Sequence, residues 1–352
     1  MSRNLKKLFR LLLAGAIMAA LAPVSAGAQE SFEGKSVQFI IGFGAGGGYD
    51  TYSRVFARHV GRHLPGNPAL VPRNMPGAGS IRAADYLYFN APKDGTAIGM
   101  IGDGLYLSQQ LGESKIRFDT LKFNWIGRLT NNTPVLFAWH QSPIHSTEDL
   151  LKKQMIVDAE GATPKTNYML LHDLVGVNMR VISGYKGSNE ALLAMERGEI
   201  HGLAMPWPVV LSKHGGWVKE KKIVPVLQTG AEKHDALPNI PRMIDLAKNE
   251  EDKKLFEFIA QPSRIGRAVV APPDLTAAMV KTHRDAFMAT MKDPEFLAEV
   301  KRSRLDLAVL GGKQLAAGIA KDGTYPKSIV ERARAVVQRV AAQKKKKKKK
   351  KQ

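Results

Sequence analysis

The chain has 352 residues, of which 44% are hydrophobic, and it contains no cysteine. This length suffices for two domains of ordinary size, while the lack of cysteine excludes disulfides and a thiol nucleophile. The formal net charge is +20, but four of these charges lie in residues 1–28 and eight in Lys344–Lys351, which leaves +8 on residues 29–343. This mildly basic body fits attraction of anionic solutes and does not indicate nucleic-acid binding.

The first 28 residues have the three parts of a secretion signal. Basic residues between Arg3 and Arg10 precede an apolar run at 11–21, and Ala26-Gly27-Ala28 supplies small residues for cleavage. The apolar run is shorter than the roughly 20 residues that a membrane-spanning helix needs. We therefore expect a periplasmic protein whose signal peptide is cleaved near Ala28; a retained N-terminal anchor is the alternative.

Strand-like and helix-like segments alternate along the rest of the chain, which is typical of α/β sheets with helices on both faces. In chain order, the predicted strands are 37–41, 69–71, 97–101, 135–139, 155–157, 180–183, 202–205, 223–228 and 268–271. The predicted helices are 51–64, one through Tyr86, one after Ser146, one after Thr163, 188–197, one capped by Asp274, one starting at Asp293-Pro294, and 327–342. The lysine run that follows, at 344–351, is predicted to be disordered by self-repulsion.

Glycine-bearing turns between strand and helix occur in the first third of the chain and again in its middle, which indicates two similar lobes. We expect the first lobe to contain 29–131 and 245–343 and the second lobe to contain 132–244, with the two crossings forming a hinge. Ligands of open α/β sheets lie beyond the carboxyl ends of the strands. The predicted site is therefore the cleft between the lobes.

A glycine-rich turn, residues 42–50, follows the first predicted strand directly. Glycine permits positive φ and a close approach of backbone N–H groups, and the next helix adds a partial positive charge. Gly42, Gly44 and Gly47 match the dinucleotide fingerprint, yet no acid occurs between Thr51 and Ala84 to hold a ribose. A plain tight turn is a second interpretation. We favour an anion cradle, because four glycines within 44–48 exceed what one turn requires.

The sequence carries few signs of catalysis or metal binding. It has no Gly-x-Ser-x-Gly and no His-Glu-x-x-His. His59 and His63 have helical spacing but no acid nearby in sequence, so we expect surface histidines. Arg54, Arg58 and Arg62 form either a solvated face or a surface that steers anions to the cleft. We predict no enzyme activity, no cofactor and no metal.

Six short motifs follow one another along the chain. They are Gly-Phe-x-x-Gly-Gly-x-x-Asp at 42–50, Asn-x-Pro-Gly-Ala-Gly at 74–79, Pro-Lys-Asp-Gly-Thr at 92–96, Tyr-x-Gly at 185–187, Gly-x-Ile at 198–200 and Leu-Pro-x-Ile-Pro at 237–241. Each is weak alone, but together they cover most of the chain, to about Gly323. In this order they resemble the Bug-type (TctC-like) receptors, the substrate-binding proteins of tripartite tricarboxylate transporters.

The resemblance implies a two-lobed periplasmic binding protein of type II. Such a receptor captures a small organic anion, usually a carboxylate, with backbone amides and bridging waters, and delivers it to membrane permease subunits. We expect a monomer. Asp50 is expected to fix the glycine turn or to cap the following helix rather than to contact the ligand, since two carboxylates repel each other. The expected ligand-binding residues are Gly44, Ala45, Gly46, Gly47, Tyr49, Gly79 and Ser80 in the first lobe, and Thr163, Tyr185, Lys186 and Gly187 in the second.

Some features leave alternatives open. His201 stands where the family usually has Asp, Arg242 where it has Thr, and the segment 205–208 is unusual, which puts the ligand in doubt. Trp139 and Trp207 either wall the pocket or fill the core, and residues 131–133 are hinge, ligand contacts or a plain turn. A solute sensor without transport and an exported dinucleotide-binding enzyme remain the alternative functions.

Overall fold

The structure is a computed structural model that describes residues 31–158, 162–182, 185, 188–322 and 325–349. The predicted signal peptide lies outside these residues. The strands are β1 Ser36–Ile41, β2 Ala69–Asn74, β3 Ala97–Met100, β4 Asn124–Arg128, β5 Pro134–Trp139, β6 Met155–Asp158, β7 Met179–Ile182, β8 Gly202–Pro206, β9 Ile223–Gln228, β10 Ala268–Ala271 and β11 Leu310–Gly311.

Helices cover both faces of the sheets that these strands form. They are α1 Gly48–Val60, α2 Ile81–Asp85, α3 Gly104–Gln110, α4 Thr147–Lys152, α5 Ala162–Leu170, α6 Ser188–Glu196, α7 Trp207–Lys219, α8 Glu250–Ala260, α9 Pro262–Ile265, α10 Ala277–Thr290, α11 Pro294–Arg302, α12 Gly312–Asp322 and α13 Lys327–Lys349. Among the helices in the described part of the chain, none is both long and apolar enough to cross a bilayer.

The first sheet has the order β11-β4-β10-β3-β1-β2. Strand β1 runs parallel to β2 and β3, whereas β10 runs antiparallel to β3 and β4. Val37 and Phe39 of β1 pack with Phe56 of α1 in one core cluster, while Ile40 packs in the cluster on the other face. Burial on both faces explains why the second half of β1, Phe39–Ile41, is continuously apolar rather than alternating.

The second sheet has the order β7-β6-β8-β5-β9, in which β5 is antiparallel to both neighbours and β6 is parallel to β7 and β8. It too carries a hydrophobic cluster on each face, one containing Leu136 and the other Val135. Two mixed sheets flanked by helices confirm the predicted α/β fold with two sheets.

The chain passes between the sheets at residues 129–133 and again at 261–267, and these two segments pair with each other. The Leu129 N–H donates to the Arg267 carbonyl at 3.0 Å, the Arg267 N–H donates to Thr130 at 2.9 Å, and the Asn132 N–H donates to Ser263 at 2.8 Å. Residues 131–133 therefore lie in one of two adjoining crossings, which is the hinge position among the interpretations left open.

The packing of the last third of the chain differs from the expected division at 244/245. Helices α8 and α13 bury Phe256 and Ala333 in the cluster that contains Leu136 of the second sheet. The apolar stripes of these helices fit the face on which α5 lies, so residues 245–260 and 325–339 pack with the second sheet rather than the first. The chain crosses back at 261–267.

Other elements also differ from the predictions. The central strand β4 was not predicted; its Gly127 allows the Phe287 ring to approach, since an added Cβ would lie 2.3 Å from that ring. Thr276, not Asp274, caps α10 by accepting from the Met279 N–H. Helix α13 continues to Lys349, so lysines 344–349 have helical backbone, consistent with the good helix propensity of lysine.

Candidate functional site

The carboxyl ends of the parallel strands of the two sheets face one another. In the first sheet, β1, β2 and β3 end at one edge, to which the Arg128 end of β4 also belongs. In the second sheet, Asp158 and Pro206 end β6 and β8 at the edge where β5 begins. Because both crossings join these two edges, the loops beyond the strands form a cleft. A Cβ added at Gly48 would lie 3.9 Å from Val209 of α7, which shows how closely the lobes approach.

The glycine turn after β1 is held in shape by Asp50. Its carboxylate accepts from the Gly46 N–H at 2.9 Å and from the Asn74 amide at 2.8 Å, and Asn74 also donates to the Phe43 carbonyl. Burial alone would raise the pKa of Asp50, but hydrogen bonds from Gly46, Asn74 and Arg54 hold it below its ordinary value. Asp50 is thus an ionised brace of the loop, as expected.

Residues 44–47 form the exposed part of this turn. Gly46 takes φ +78°, which favours glycine, and its N–H is already bonded to Asp50. The N–H groups of Gly44, Ala45 and Gly47 have no acceptor among the residues that the structure describes. Of the expected amide donors, these three are the available ones, at the start of the thirteen-residue helix α1.

Ser80 is placed beneath the loops rather than in the cleft. It is fully buried and its hydroxyl accepts from the Gly102 N–H at 3.0 Å. An added Cβ at Gly42 would lie 1.8 Å from this hydroxyl, so Gly42 is needed for close packing. Ser80 therefore ties the loops after β1 and β3 together. The sequence could not separate this role from a ligand contact, because a serine at a loop end serves both.

Tyr49 lies in an aromatic and charged stack at the base of the glycine turn. Its ring stacks on Phe43 with centroids 4.1 Å apart, and the Arg267 guanidinium lies 3.9 Å from its centroid. Two groups cannot share one face at these distances, so the ring lies between them. The Tyr49 hydroxyl accepts from the Asp103 N–H at 3.0 Å. Burial raises its pKa above the usual range, which keeps the phenol protonated.

Asp103 follows β3 and faces this stack. Its carboxylate accepts from the Asn132 amide at 2.8 Å, which connects the first sheet to a crossing segment. Burial raises the pKa of Asp103, while Arg267, Asn132 and Tyr49 oppose that rise. The base of the cleft thus holds a buried cation and an acid that are linked through Tyr49.

The second wall is described only in part. Lys186 and Gly187 lie outside the described residues, as do 159–161, which follow β6. Thr163 lies inside α5, which begins at Ala162, so it is not the helix cap that was expected. Tyr185 follows β7, and its hydroxyl donates to Glu199 at 3.4 Å.

A cavity of about 210 Å³ lies between the lobes beside Gly79. Gly79 and Gly104 line it from the first sheet, and Thr166 and Ile259 line it from helices that pack on the second. A larger cavity of about 890 Å³ includes Asn124, at the opposite edge of the first sheet, and is therefore separate from the cleft. Gly79 is thus an expected site residue that borders a space between the lobes.

The residues whose identity put the ligand in doubt either lie away from the cleft or make contacts that stabilise the fold. His201 precedes β8 at the far edge of the second sheet, where its Nδ1 accepts from the Ile156 N–H. Arg242 pairs with Asp245 at 2.7 Å. Trp139 ends β5 at the far edge and packs against Trp217, so it fills the core. Trp207 is 1% exposed and also belongs to a core cluster, although it begins α7 at the cleft edge.

The basic residues of α1 and of the turn after it are paired with acids. The three arginines remain 40–54% exposed, whereas His59 is buried rather than at the surface as expected. His59 is buried, with Nε2 2.5 Å from Glu299, and His63 bonds Asp293 at 2.9 Å. Arg58 also bonds Glu299, Arg62 bonds Glu295 and Asp293, and Arg54 bonds Asp50. Apart from Asp50, the acids come from α11 and its cap Asp293, which are distant in sequence. In the described residues, no group of three or more His, Asp or Glu is arranged to hold a metal ion.

Sequence reasoning missed Arg267 and Asp103. Arg267 directly precedes the apolar strand β10, and Asp103 lies three residues after the apolar strand β3, at the ends that face the cleft. A charged residue at such an end is a usable signal, because ligands of α/β folds bind there. The antiparallel insertion of β10 beside β3 brings the two residues together, and this pairing was not predicted.

The chain was compared with known proteins. A sequence profile described as "Tripartite tricarboxylate transporter family receptor" matches residues 53–334. A protein of Cupriavidus necator, described as "UPF0065 protein in gbd 5'region", is 26% identical over 325 residues, covering 89% of this chain and 92% of its own length.

Solved structures share the fold. A TctC solute binding protein from Polaromonas, without ligand, has a TM-score of 0.63 at 18% identity, covering 86% of this chain and all of its own. Rpa4515 of R. palustris with adipate has a TM-score of 0.61 at 17% identity, covering 85% and 97%. MatC from Rhodopseudomonas palustris with bound malate has a TM-score of 0.59 at 17% identity, covering 86% and 98%.

The profile match covers most of the chain and includes α1 from Ser53 onward, both sheets beyond β1, both crossings and the start of α13, while the glycine turn at 42–50 lies before it. It agrees with the motifs read from the sequence and with the two-sheet architecture. The chain belongs to the tripartite tricarboxylate transporter receptor family.

Proposed function

We propose that the protein is a periplasmic receptor that captures a small organic carboxylate between its lobes and delivers it to the permease of a tripartite transporter. The observation that carries the proposal is the braced glycine turn after β1. Asp50 fixes its shape, three N–H groups remain exposed, and Gly48 approaches Val209 of the other lobe. Carboxylate oxygens are acceptors suited to such donors.

A dicarboxylate is the favoured ligand class. Adipate and malate, the ligands of two structural neighbours, both carry two carboxylates. A receptor with two lobes grips one end of such a solute in each lobe. The first end is assigned to Gly44, Ala45 and Gly47, with Tyr49 and Gly79 behind them. The second end is assigned to the residues of the second lobe expected from the sequence, which are Thr163 at the start of α5 and Tyr185, Lys186 and Gly187.

The residues that would have supported dinucleotide binding make other contacts in the structure. Arg62 and His63, which stood where a nucleotide phosphate or ribose contact was considered, are bonded to Asp293 and Glu295. The glycine at position 42 packs against Ser80. We therefore propose a binding protein without cofactor or catalytic activity, acting as a monomer.

The first experiment measures binding to the purified protein by thermal shift and calorimetry. The panel contains malate, adipate, citrate, acetate, amino acids and NADP. A ligand at 100 times its Kd is expected to stabilise the protein by about 2.7 kcal/mol and raise Tm by several degrees. Stabilisation by NADP alone, with no response to any carboxylate, would contradict the proposal.

Delivery needs its own experiment, because a sensor would bind the same solute. Membrane vesicles containing a tripartite permease are supplied with a radiolabelled carboxylate that the protein binds. The loaded protein is expected to support uptake, whereas free solute alone is not. Binding without uptake would favour the sensor.

A further inference from the structure

Arg267 lies in the second crossing, one residue before β10, and only 7% of it is exposed. Its Nε and Nη1 have no hydrogen-bond acceptor among the described residues. A guanidinium has five N–H donors, and leaving buried donors unpaired is costly. We therefore expect an acceptor from outside the described residues to pair with these buried N–H donors.

A second arginine, Arg128 at the end of β4 beside the other crossing, shows what a purely structural arrangement is like. Arg128 is also 7% exposed. Its Nε donates to the Ala308 carbonyl at 3.0 Å and its Nη1 donates to the Arg264 carbonyl at 2.6 Å. Backbone carbonyls thus accept from the buried guanidinium of Arg128, whereas Nε and Nη1 of Arg267 have no such acceptor among the described residues.

The surroundings of Arg267 belong to the cleft. The guanidinium lies over Tyr49, and its Nη2 is 3.3 Å from where a Cβ at Gly48 would be. It therefore stands directly beside the start of α1 and the exposed turn 44–47. The Tyr49 ring stabilises the cation through its π-face but accepts none of its in-plane N–H bonds.

Asp103 is the acid that faces this cation. It interacts with Arg267 electrostatically, yet within the described residues the two make no N–O contact of 4.0 Å or less. Its carboxylate accepts from Asn132 instead. Asp103 thus balances the charge of Arg267 at a distance and leaves the planar edge of the guanidinium unoccupied.

We propose that Arg267 is the charged contact that binds one carboxylate of the ligand, together with the N–H groups of the glycine turn. The inference rests on the proposed function. A guanidinium presents two parallel N–H groups that match the two oxygens of a carboxylate, which backbone amides alone do not enforce. Arg267 then determines selectivity for an ionised carboxylate over an uncharged carboxamide of the same shape.

The test compares adipate with its uncharged diamide, adipamide, on the full protein and on two variants, by calorimetry. Wild type is expected to prefer adipate strongly. In Arg267→Met the affinity for adipate falls about 30-fold or more, and the preference over adipamide shrinks by a similar factor. Structural damage alone would weaken both probes equally. Arg267→Lys keeps a buried charge but lacks the planar pair of donors. This variant is expected to fold and to bind adipate about tenfold more weakly than wild type.

The matched control is Arg128→Lys, which is expected to lower Tm while changing the affinity for adipate less than threefold. If Arg267→Met does not fold, Arg267→Lys decides alone. The inference would be overturned if a folded Arg267 variant kept its affinity for adipate, and its preference for adipate over adipamide, within twofold of wild type. That outcome would leave the proposed function intact. A wild-type protein that binds malate or another panel carboxylate but not adipate is tested with that acid and its amide. A wild-type protein that binds no carboxylate would overturn both.

Discussion

Individual polar residues in this receptor mostly serve to hold loops, and only a few face the cleft. Asp50 braces the glycine turn, Ser80 joins two loops, and His59 is buried against Glu299. The residue types alone suggested ligand contacts or surface positions. Their actual roles follow from partners that are far away in the chain.

His283 provides a prediction about pH at the scale of one residue. It is 2% exposed, and its Nε2 donates to the Gly95 carbonyl at 2.9 Å. Burial lowers its pKa from 6.5 to about 4, against the opposing effect of that hydrogen bond. The unfolded chain therefore takes up a proton below pH 6.5, whereas the folded protein does so only near pH 4. The contribution of His283 to the free energy of unfolding is therefore complete above pH 6.5 and is lost as the pH falls toward 4.

Replacing His283 by Gln keeps an N–H donor for Gly95 and removes the titration. Between pH 6.5 and 4, wild type is expected to lose on the order of 3 kcal/mol of unfolding free energy more than H283Q. Denaturant titrations at several pH values measure this difference. His140→Gln, at an exposed position, is the control and should keep the wild-type slope. Parallel curves for wild type and H283Q would show the assignment to be wrong.

At the scale of elements, the site depends on how three strand ends and their loops lock together. The Met100 carbonyl accepts from the Gly42 N–H at 3.0 Å, and Ser80 bonds the loop after β3. These contacts leave no room for a side chain at Gly42. The glycine turn thus has a buried half that packs, at Gly42, and an exposed half that donates, at 44–47.

Gly42→Ala is expected to destabilise the protein by about 1–3 kcal/mol, because its Cβ would overlap the buried Ser80 hydroxyl. Gly44→Ala is the control, since nothing lies within 4 Å of an added Cβ there, and it should change stability by less than about 0.5 kcal/mol. Ser80 has φ +81°, so adding Ser80→Gly to Gly42→Ala removes the overlap without strain and should restore part of the loss. Chemical denaturation measures all three, and equal stability of the two alanine variants would contradict the packing.

At the scale of the whole molecule, the paired crossings place the two strand edges opposite each other. The turn before α1 reaches the start of α7 at Gly48 and Val209. Asn131 donates to Glu232 at 3.1 Å, and His234 pairs with Asp306 at 3.1 Å, so side chains also join the lobes near the hinge. A solute bound in the cleft has to enter while these edges are apart.

A disulfide between the lobes tests this arrangement. The chain has no native cysteine, and the Cβ position of Gly48 is 3.9 Å from a Val209 methyl group, within reach of a disulfide. The double variant Gly48→Cys, Val209→Cys is expected to cross-link under mild oxidation. Association of the panel carboxylate should then slow at least about tenfold and recover on reduction. Thiol titration and stopped-flow binding measure both effects, and thiols that stay free under oxidation would contradict the approach of the lobes.

Short-range sequence patterns were sufficient to predict much of the fold of this protein and its family. The apolar run of β1, the glycine turn, the strands at 223–228 and 268–271, and the six ordered motifs identified the α/β fold, the family and the role of Asp50. These features depend on local backbone preferences and on strand burial, which neighbouring residues determine. The position of the glycine turn, to which we assign anion binding, could therefore be predicted from the chain itself.

Tertiary structure alone decided which charges are available. Arg54, Arg58 and Arg62 look free in sequence but meet Asp50 and the acids of α11, whereas Arg267 looks ordinary and is left beside Tyr49. The return crossing at 261–267 and the placement of His201 at the far edge were likewise beyond local patterns. Each depends on the strand order and on the antiparallel insertion of β10 between β3 and β4, because a side chain's partner is chosen by residues that only the fold brings near it.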